Sequence, residues 1–446
     1  MADSIGLGRV AVVDGGEGGR RVLRAVRELA RLGRAGAAVA VHTPLERQAA
    51  FTREADEAVE AEHLPDALAQ ARPTTVWLGR GSLAERAELA DRCAAQGATL
   101  LGPPAAVLRR LASADGIRGL AAELSVPHAR GAPPGAARLL EVLVARDAQG
   151  GAAALGIGDG SLRLGEVVVL AECPAPGLSP DVARAALELA PRAAAAAGWV
   201  GVAAVQLVLE PDGRLALAGI DAVAHTAPAV EAAAGVDLVR LALALALGEP
   251  AAAARGGERP AAVAARILPR DPEDGSRAGG GRVERLRLPS DPGLRVEAGV
   301  EEGDLCPPGE PVATLVAVAS DRGEALVRVA QGLEDADVLV GGRGTSKAWL
   351  AALCARPEVQ EGRSAAGLVA RLAAAGEKLV TPQPEMALLA AALESYDLEL
   401  DLERERFLAE ARRGRPRVGP TAGRLVELRL GGQRHRLEVR QTGPAT

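Results

Sequence analysis

Residues 9–42 carry the pattern that most constrains the fold. The apolar run 9–13 (RVAVV) has the length of a short buried strand. Asp14-Gly15-Gly16-Glu17-Gly18-Gly19 follows as a tight turn, and is neither G-x-G-x-x-G nor a phosphate-binding P-loop. Over 20–32, Val22, Leu23, Val26 and Leu29 recur at helical spacing, and 37–42 is a second apolar run. Strand, glycine-rich turn, helix and strand open a doubly wound α/β domain. The alternation continues through a strand at 76–78, a helix at 82–96 and a strand at 99–101, so the first domain is expected to span 1–110.

Beyond that point the pattern changes. A helix is expected over 111–127, ending before Val126-Pro127. Strands at 139–144, 155–157 and 167–171 read as antiparallel, separated by glycine turns, and an alanine-rich helix covers 180–197. Pro211-Asp212-Gly213 turns a hairpin between 202–210 and 214–220. A single helix is expected over 229–247, closing a second domain of 111–258 within a Pro/Gly/Ala linker. A β-rich stretch from 261 to about 330, then helices, make a third domain of 259–375. The tail, 376–446, holds a charged helix (389–412), a basic loop and a final hairpin at 424–430 and 433–440, which either docks on a partner or packs on its own domain.

Aromatic residues are 1% of the 446, so the core must be built from Leu, Val, Ile and Ala. A formal net charge of -6 argues against a nucleic-acid partner. No run reaches the ~18 apolar residues of a membrane span, and the start lacks the basic and apolar regions of a signal peptide. Cys93, Cys173, Cys306 and Cys354 are too scattered for zinc or a disulfide framework and read as buried thiols of a cytoplasmic protein. His42, His63, His128, His225 and His435 show no metal-ligand spacing. Lys347 and Lys378 are the only lysines.

The order of motifs resembles the biotin carboxylase component of acyl-CoA carboxylases, an ATP-grasp family. That family's Asn-Arg-Gly-Glu turn is similar to Asp14-Gly15-Gly16-Glu17, and its Ala-Asp-Glu-Ala stands as Ala55-Asp56-Glu57-Ala58. Its His-Pro-Gly-Tyr-Gly-Phe-Leu-Ser-Glu loop resembles the stretch from Trp77 to Glu85, and its Gly-Pro is Gly102-Pro103. Ala175-Pro176-Gly177, Gly235-Val236-Asp237-Leu238, Ala265-Arg266-Ile267 and Leu294-Arg295-Val296 follow in the family's order, so the resemblance covers roughly 8–375. It implies a doubly wound N-terminal domain, an ATP-grasp domain and an α+β C-terminal domain.

Members of that family make carboxyphosphate from ATP and bicarbonate and then carboxylate biotin. Phosphoryl transfer rests on positioning and charge stabilisation, with carboxylates for Mg²⁺ and cations for phosphate. By resemblance, the ATP lysine of Met-Gly-Asp-Lys falls at Ala114 and that of His-Gln-Lys at Val168. The two metal-binding glutamates fall at Gln206 and Gly219, with Asp221 and Val223 at the Asn and Arg beyond, and a C-terminal-domain lysine at Thr314. The family's catalytic glutamate has no counterpart among Ala224-His225-Thr226-Ala227-Pro228. Only residues 128–138 stand where the family has its lid, so the lid is expected to be missing. Arg295 alone matches a catalytic position, the arginine that stabilises the enolate-like oxygen of biotin. Asp221 and Glu231 read as solvated helix and loop charges near the former metal hairpin, and Met386 has no neighbouring lysine to carry biotin.

The expectation is therefore a degenerate, catalytically inactive biotin carboxylase-like protein. It needs no cofactor, carries no covalent biotin, and is a structural or regulatory subunit of an acetyl- or propionyl-CoA carboxylase complex. Its partners would be carboxylase subunits, an active paralogue or a second copy in a homodimer, with no nucleic acid and no membrane. Two alternatives stand beside it: a divergent ligase with a rearranged site that uses ATP and Mg²⁺, and a small-ligand sensor using the old cleft.

Overall fold

A computed structural model describes the chain except for residues 1–5, 80, 130–136, 223–226, 252–259, 274–278, 343, 364–365, 381–383, 413, 415–423, 431–432 and 441–446. It forms two compact units, Met1–Leu379 and Val380–Thr446.

The first unit opens with a parallel sheet ordered β3-β2-β1-β4-β5. Its strands are β1 (Val10–Val13), β2 (Ala38–His42), β3 (Glu57–Glu60), β4 (Thr75–Leu78) and β5 (Thr99–Leu100). Helices α1 (Glu17–Arg31), α2 (Ala50–Glu54), α3 (Leu64–Ala71) and α4 (Leu83–Ala95) connect them. β1 and β2 are fully buried, which explains why they read as continuous apolar runs rather than alternating ones. The expected turn through Gly19 is shorter than the sequence suggested: α1 already begins at Glu17. Glycine is required at Gly19, because a Cβ there would sit 1.8 Å from the Asp14 carbonyl oxygen.

The helix expected over 111–127 is the shorter α6 (Ala114–Glu123), and an unforeseen helix, α5 (Ala105–Leu111), precedes it. Ser113 separates them, capping α6 by accepting from Gly116 N at 3.0 Å.

An eight-stranded sheet then runs β10-β9-β6-β7-β8-β11-β15-β13. It comprises β6 (Arg138–Arg146), β7 (Ala152–Leu164), β8 (Val167–Cys173), β9 (Gly201–Leu209), β10 (Leu215–Asp221), β11 (Ala261–Ile267), β13 (Leu294–Ala298) and β15 (Ala313–Ala319). Strand β7 is much longer than the expected 155–157. Its glycines break the apolar pattern, yet cross-strand pairing with β6 and β8 carries the strand through them. One face packs on α7 (Pro180–Ala197), whose buried alanines meet Leu140, Val142 and Val205.

The helix expected over 229–247 is two, α8 (Ala227–Ala234) and α9 (Leu238–Ala246). Gly235 breaks them at φ +65°, and Asp237 caps α9 by accepting from Val239 N and Arg240 N, each at 3.0 Å. A small sheet of β14 (Leu305–Cys306), β12 (Gly281–Arg287) and β16 (Asp337–Val340) completes the β-rich part, and β16 is not foreshadowed by the sequence pattern. Helices α10 (Arg322–Asp335), α11 (Lys347–Cys354), α12 (Pro357–Gln360) and α13 (Leu368–Ala374) follow. All four cysteines are buried thiols outside any disulfide. Burial pushes Cys306 and Cys354 up to about 12.

The second unit is α14 (Pro384–Ala411) with the hairpin β17 (Arg424–Leu430) and β18 (Gln433–Val439). The hairpin packs on its own helix: Arg424 donates to Glu399 Oε2 at 2.8 Å and sits 6.0 Å from the Tyr396 ring centre. No helix among the described residues is long and apolar enough to cross a membrane.

Candidate functional site

Antiparallel register brings three buried or half-buried positions into one row. Gln206 on β9 lies opposite Gly219 on β10 and, on its other side, opposite Glu141 on β6. Glu141 is fully buried, and Gln206 Nε2 donates to its Oε1 at 3.5 Å. A Cβ at Gly219 would meet Gln206 Oε1 at 3.2 Å, so the glutamine amide occupies the space beside it. Mg²⁺ demands near-octahedral oxygen ligands, typically carboxylates. Gln206 offers a neutral amide and Gly219 offers no side chain. Among the described residues, no group of three or more His, Cys, Asp or Glu could hold a metal ion.

Ala114 opens α6 and lines a shallow depression of about 460 Å³ together with Ser113, Arg118, His128 and Ala218. The depression thus joins Ala114 to the strand carrying Gly219. Arg118, one helical turn beyond Ala114, is a cation there that no sequence motif marks; it is exposed and pairs with Asp115 at 2.9 Å. Val168 is fully buried on β8 and does not line this depression; its carbonyl accepts from Arg266 Nη1 at 3.1 Å. The stretch expected to replace the lid lies partly outside the described residues, but only 124–137 separate the end of α6 from the start of β6.

Asp221 ends β10 and accepts from Arg86 Nη2 at 2.6 Å, joining the second sheet to α4. Val223, Ala224, His225 and Thr226 lie outside the described residues.

Arg295 sits elsewhere, on β13, in a partly buried ionic network. Its Nη2 lies 3.2 Å from Glu231 Oε2, and its Nε lies 3.2 Å from Glu297 Oε1. Glu231 is 2% exposed, which corrects its reading as a solvated helix charge. Arg21 on α1 binds it in fork geometry at 2.8 and 2.7 Å, and Leu238 N donates to it at 2.7 Å. A lone carboxylate within an alanine-rich helix was the available signal, since such a helix has little reason to carry one on a packed face. Burial lowers the pKa of Arg21, but the hydrogen bonds and charge of Glu231 together with the charges of Glu297 and Asp237 raise it above the usual arginine value.

Glu17 starts α1 beside Arg266, Glu297, Thr314 and Arg21. Its Oε2 is buried without a hydrogen-bond partner. Burial raises its pKa to about 7, opposed by Arg266 and reinforced by Glu297. Sequence motifs singled out Glu17 and Thr314 separately; the fold places them together.

The domain architecture that frames these sites is found in known proteins. The biotin carboxylase N-terminal domain model matches residues 6–108, the carbamoyl-phosphate synthase L chain ATP-binding domain model matches 136–253, and the biotin carboxylase C-terminal domain model matches 264–371. Three such domains in this order define a chain of the ATP-grasp carboxylase class. The chain belongs to the biotin carboxylase family. The alpha subunit of mitochondrial methylcrotonoyl-CoA carboxylase from Mus musculus is 32% identical over 233 residues, covering 50% of this chain and 32% of that subunit. The chain thus spans about a third of that relative's length. The biotin carboxylase of Pseudomonas aeruginosa is 26% identical over 416 residues, covering 74% of this chain and 91% of that protein. Among solved structures, the biotin carboxylase domain dimer of Hydrogenobacter thermophilus 2-oxoglutarate carboxylase, in complex with MgADP and bicarbonate, superposes with a TM-score of 0.75. It is 19% identical and covers 83% of this chain and 99% of that one.

Proposed function

We propose that the chain is a catalytically inactive member of the biotin carboxylase family that serves as a structural or regulatory subunit of an acyl-CoA carboxylase. The observation that carries this reading is the Gln206–Gly219 pair. The two positions the family gives to metal-binding glutamates face each other across β9 and β10. Between them they present an amide and a hydrogen. The donor set therefore does not fit magnesium, and an amide lends no negative charge to hold a metal against a triphosphate. Removing a single preorganised electrostatic group typically costs ~10²–10³ in rate, and the positions of both metal carboxylates and both ATP lysines are altered together.

The surroundings of Arg295 support the same reading. Its guanidinium is engaged by Glu231 and Glu297, which themselves face Arg21. An arginine compensated by two carboxylates has less charge to lend to a developing oxyanion.

The partners in this reading are other carboxylase subunits or an active paralogue in the cytoplasm, and the chain itself carries no biotin. A tagged full chain drawn from its own cells should recover a carboxyltransferase, a biotin carrier or a biotin carboxylase; recovery of none of these overturns the subunit role. Arg118 and Glu141, both close to the former metal strands, favour one rival, a divergent ligase with a rearranged site. Bicarbonate-stimulated ATP hydrolysis by the full chain decides for that rival.

A further inference from the structure

The second unit carries a long helix that is barely buried. α14 runs for 28 residues, and Ala392 is its only buried residue. Helices in folded proteins are held chiefly by packing one apolar face. The apolar residues of α14 nevertheless follow a rule. Met386, Leu389, Leu393, Tyr396, Leu400 and Phe407 recur at alternating steps of three and four, and Glu403 fills the one remaining place. That is the a and d pattern of a coiled coil, sustained over three heptads from 386 to 407.

Arg424 of the hairpin reaches the middle of this row. It donates to Glu399 Oε2 at 2.8 Å, pairs with Glu403 and sits 6.0 Å from the Tyr396 ring centre. The ends of the row stay bare: Met386, Leu389, Leu393 and Phe407 are 58%, 48%, 47% and 42% exposed. Large apolar side chains exposed along one seam mark an interaction surface, unlike apolar residues scattered singly. Leu398 is as exposed but lies off the seam, at the outward f position.

The charges flanking the seam point to what covers it. In a parallel, in-register pair of such helices, each g residue faces the e residue five positions further on in the other copy. Glu399 then meets Arg404, twice by two-fold symmetry. The remaining g–e pairs, Glu385 with Ala390, Ala392 with Asp397 and Arg406 with Ala411, each contain an alanine, so none repels. Glu399 gives Oε2 to Arg424, and a carboxylate has acceptor capacity for a second arginine. Full antiparallel overlap would instead set Asp397 against Asp397 and Glu399 against Glu399. Glu403, the one charged seam residue, is compensated within its own copy by Arg424. A single polar residue in a seam fixes register at a cost in stability.

We propose that α14 pairs with the α14 of a second copy of this chain, as a parallel two-stranded coiled coil closed along the seam from Met386 to Phe407. The proposal stands independently of whether the chain is catalytic, because none of its residues occupies a matched ATP, metal or biotin position. It is also independent of the carboxylase partners proposed above, since recovery of those partners and pairing of this helix are read by different experiments.

Site-directed disulfide cross-linking of the full chain tests it, because the four native cysteines are buried. Leu389→Cys places a thiol at a d position, where the parallel pair brings the two copies within disulfide reach. Leu398→Cys places one at the outward f position. Under copper–phenanthroline at micromolar protein, Leu389→Cys should convert to a covalent species of twice the mass, and Leu398→Cys at least about tenfold more slowly. Adding Leu393→Glu to Leu389→Cys should slow the cross-link at least about tenfold, whereas adding Leu393→Met, which keeps the side-chain volume, should leave it nearly unchanged. The proposal is overturned if Leu389→Cys stays at the mass of one chain, if Leu398→Cys cross-links as fast, or if Leu393→Glu leaves the rate unchanged. Should Leu393→Glu lose helix by far-UV circular dichroism, the contrast between Leu389→Cys and Leu398→Cys decides alone.

Discussion

Glu17 and Glu231 show how burial at single residues sets the behaviour of the folded chain. Glu17 holds its proton up to about pH 7, whereas an ordinary glutamate releases it near 4.5. Between those values the folded state binds more protons than the unfolded state, so stability falls as pH rises from about 4.5 to about 7 and levels off above. Glu17→Gln abolishes that titration. It should make the chain more stable than the parent at pH 8, by on the order of 1–3 kcal/mol, with a smaller difference at pH 5. Urea unfolding at the two pH values reads this, and an unchanged pH slope in the variant would remove Glu17 as the cause. The other groups facing it, Arg266, Glu297, Thr314 and Arg21, are kept in both proteins. Glu231 is the opposite case, a carboxylate that burial leaves wholly dependent on its partners. Glu231→Ala leaves Arg21 and Arg295 without their shared counter-charge and should cost about 3–5 kcal/mol, seen as a large drop in thermal midpoint. Glu231→Gln retains some hydrogen bonds and should cost less.

At the level of elements, the break between α8 and α9 rests on Gly235 and Asp237. Asp237 supplies the cap that lets α9 begin, and also lies 3.3 Å from Arg21. Asp237→Ala should cost about 1 kcal/mol in urea unfolding, with little further loss because that ion pair is partly exposed. A loss below a few tenths of a kcal/mol would show that packing alone starts α9. The same segment shows where sequence reading succeeds and fails. The strand cores of β1, β2, β4 and β6 were legible because buried strands are continuous apolar runs. The break at 235–237 was present as glycine followed by a capping aspartate, but the apolar period on both sides hid it. Strand β7 was underestimated because Gly156, Gly158 and Gly160 supply no side-chain pattern, and its length is set by partners distant in sequence. Strand β16 pairs with β12 some fifty residues earlier, a contact that local periodicity does not carry.

For the whole molecule, the first unit holds the matched biotin carboxylase domains and the second holds α14 with its hairpin. The two are separate in their internal packing, so a chain ending at Leu379 should unfold with the cooperativity of the full chain and a midpoint within a few degrees of it. Loss of a cooperative transition would mean that the tail is part of the core of the first unit. The candidate site was legible to different depths. Motif order located Gln206, Gly219, Ala114 and Arg295 along the chain, and the sheet register then set the first two opposite one another. The ionic network of Glu17, Arg21, Glu231, Arg295 and Glu297 was invisible, because its members come from α1, α8 and β13, and only the three-dimensional arrangement reveals which charges share a buried space.

Phosphate release from MgATP by the full chain, measured with and without bicarbonate and biotin, tests the central claim most directly. The Gln206–Gly219 pair predicts a rate equal to that of a heat-denatured control under both conditions. A bicarbonate-stimulated rate above that control would contradict the reading and establish a working phosphoryl-transfer site in the cleft.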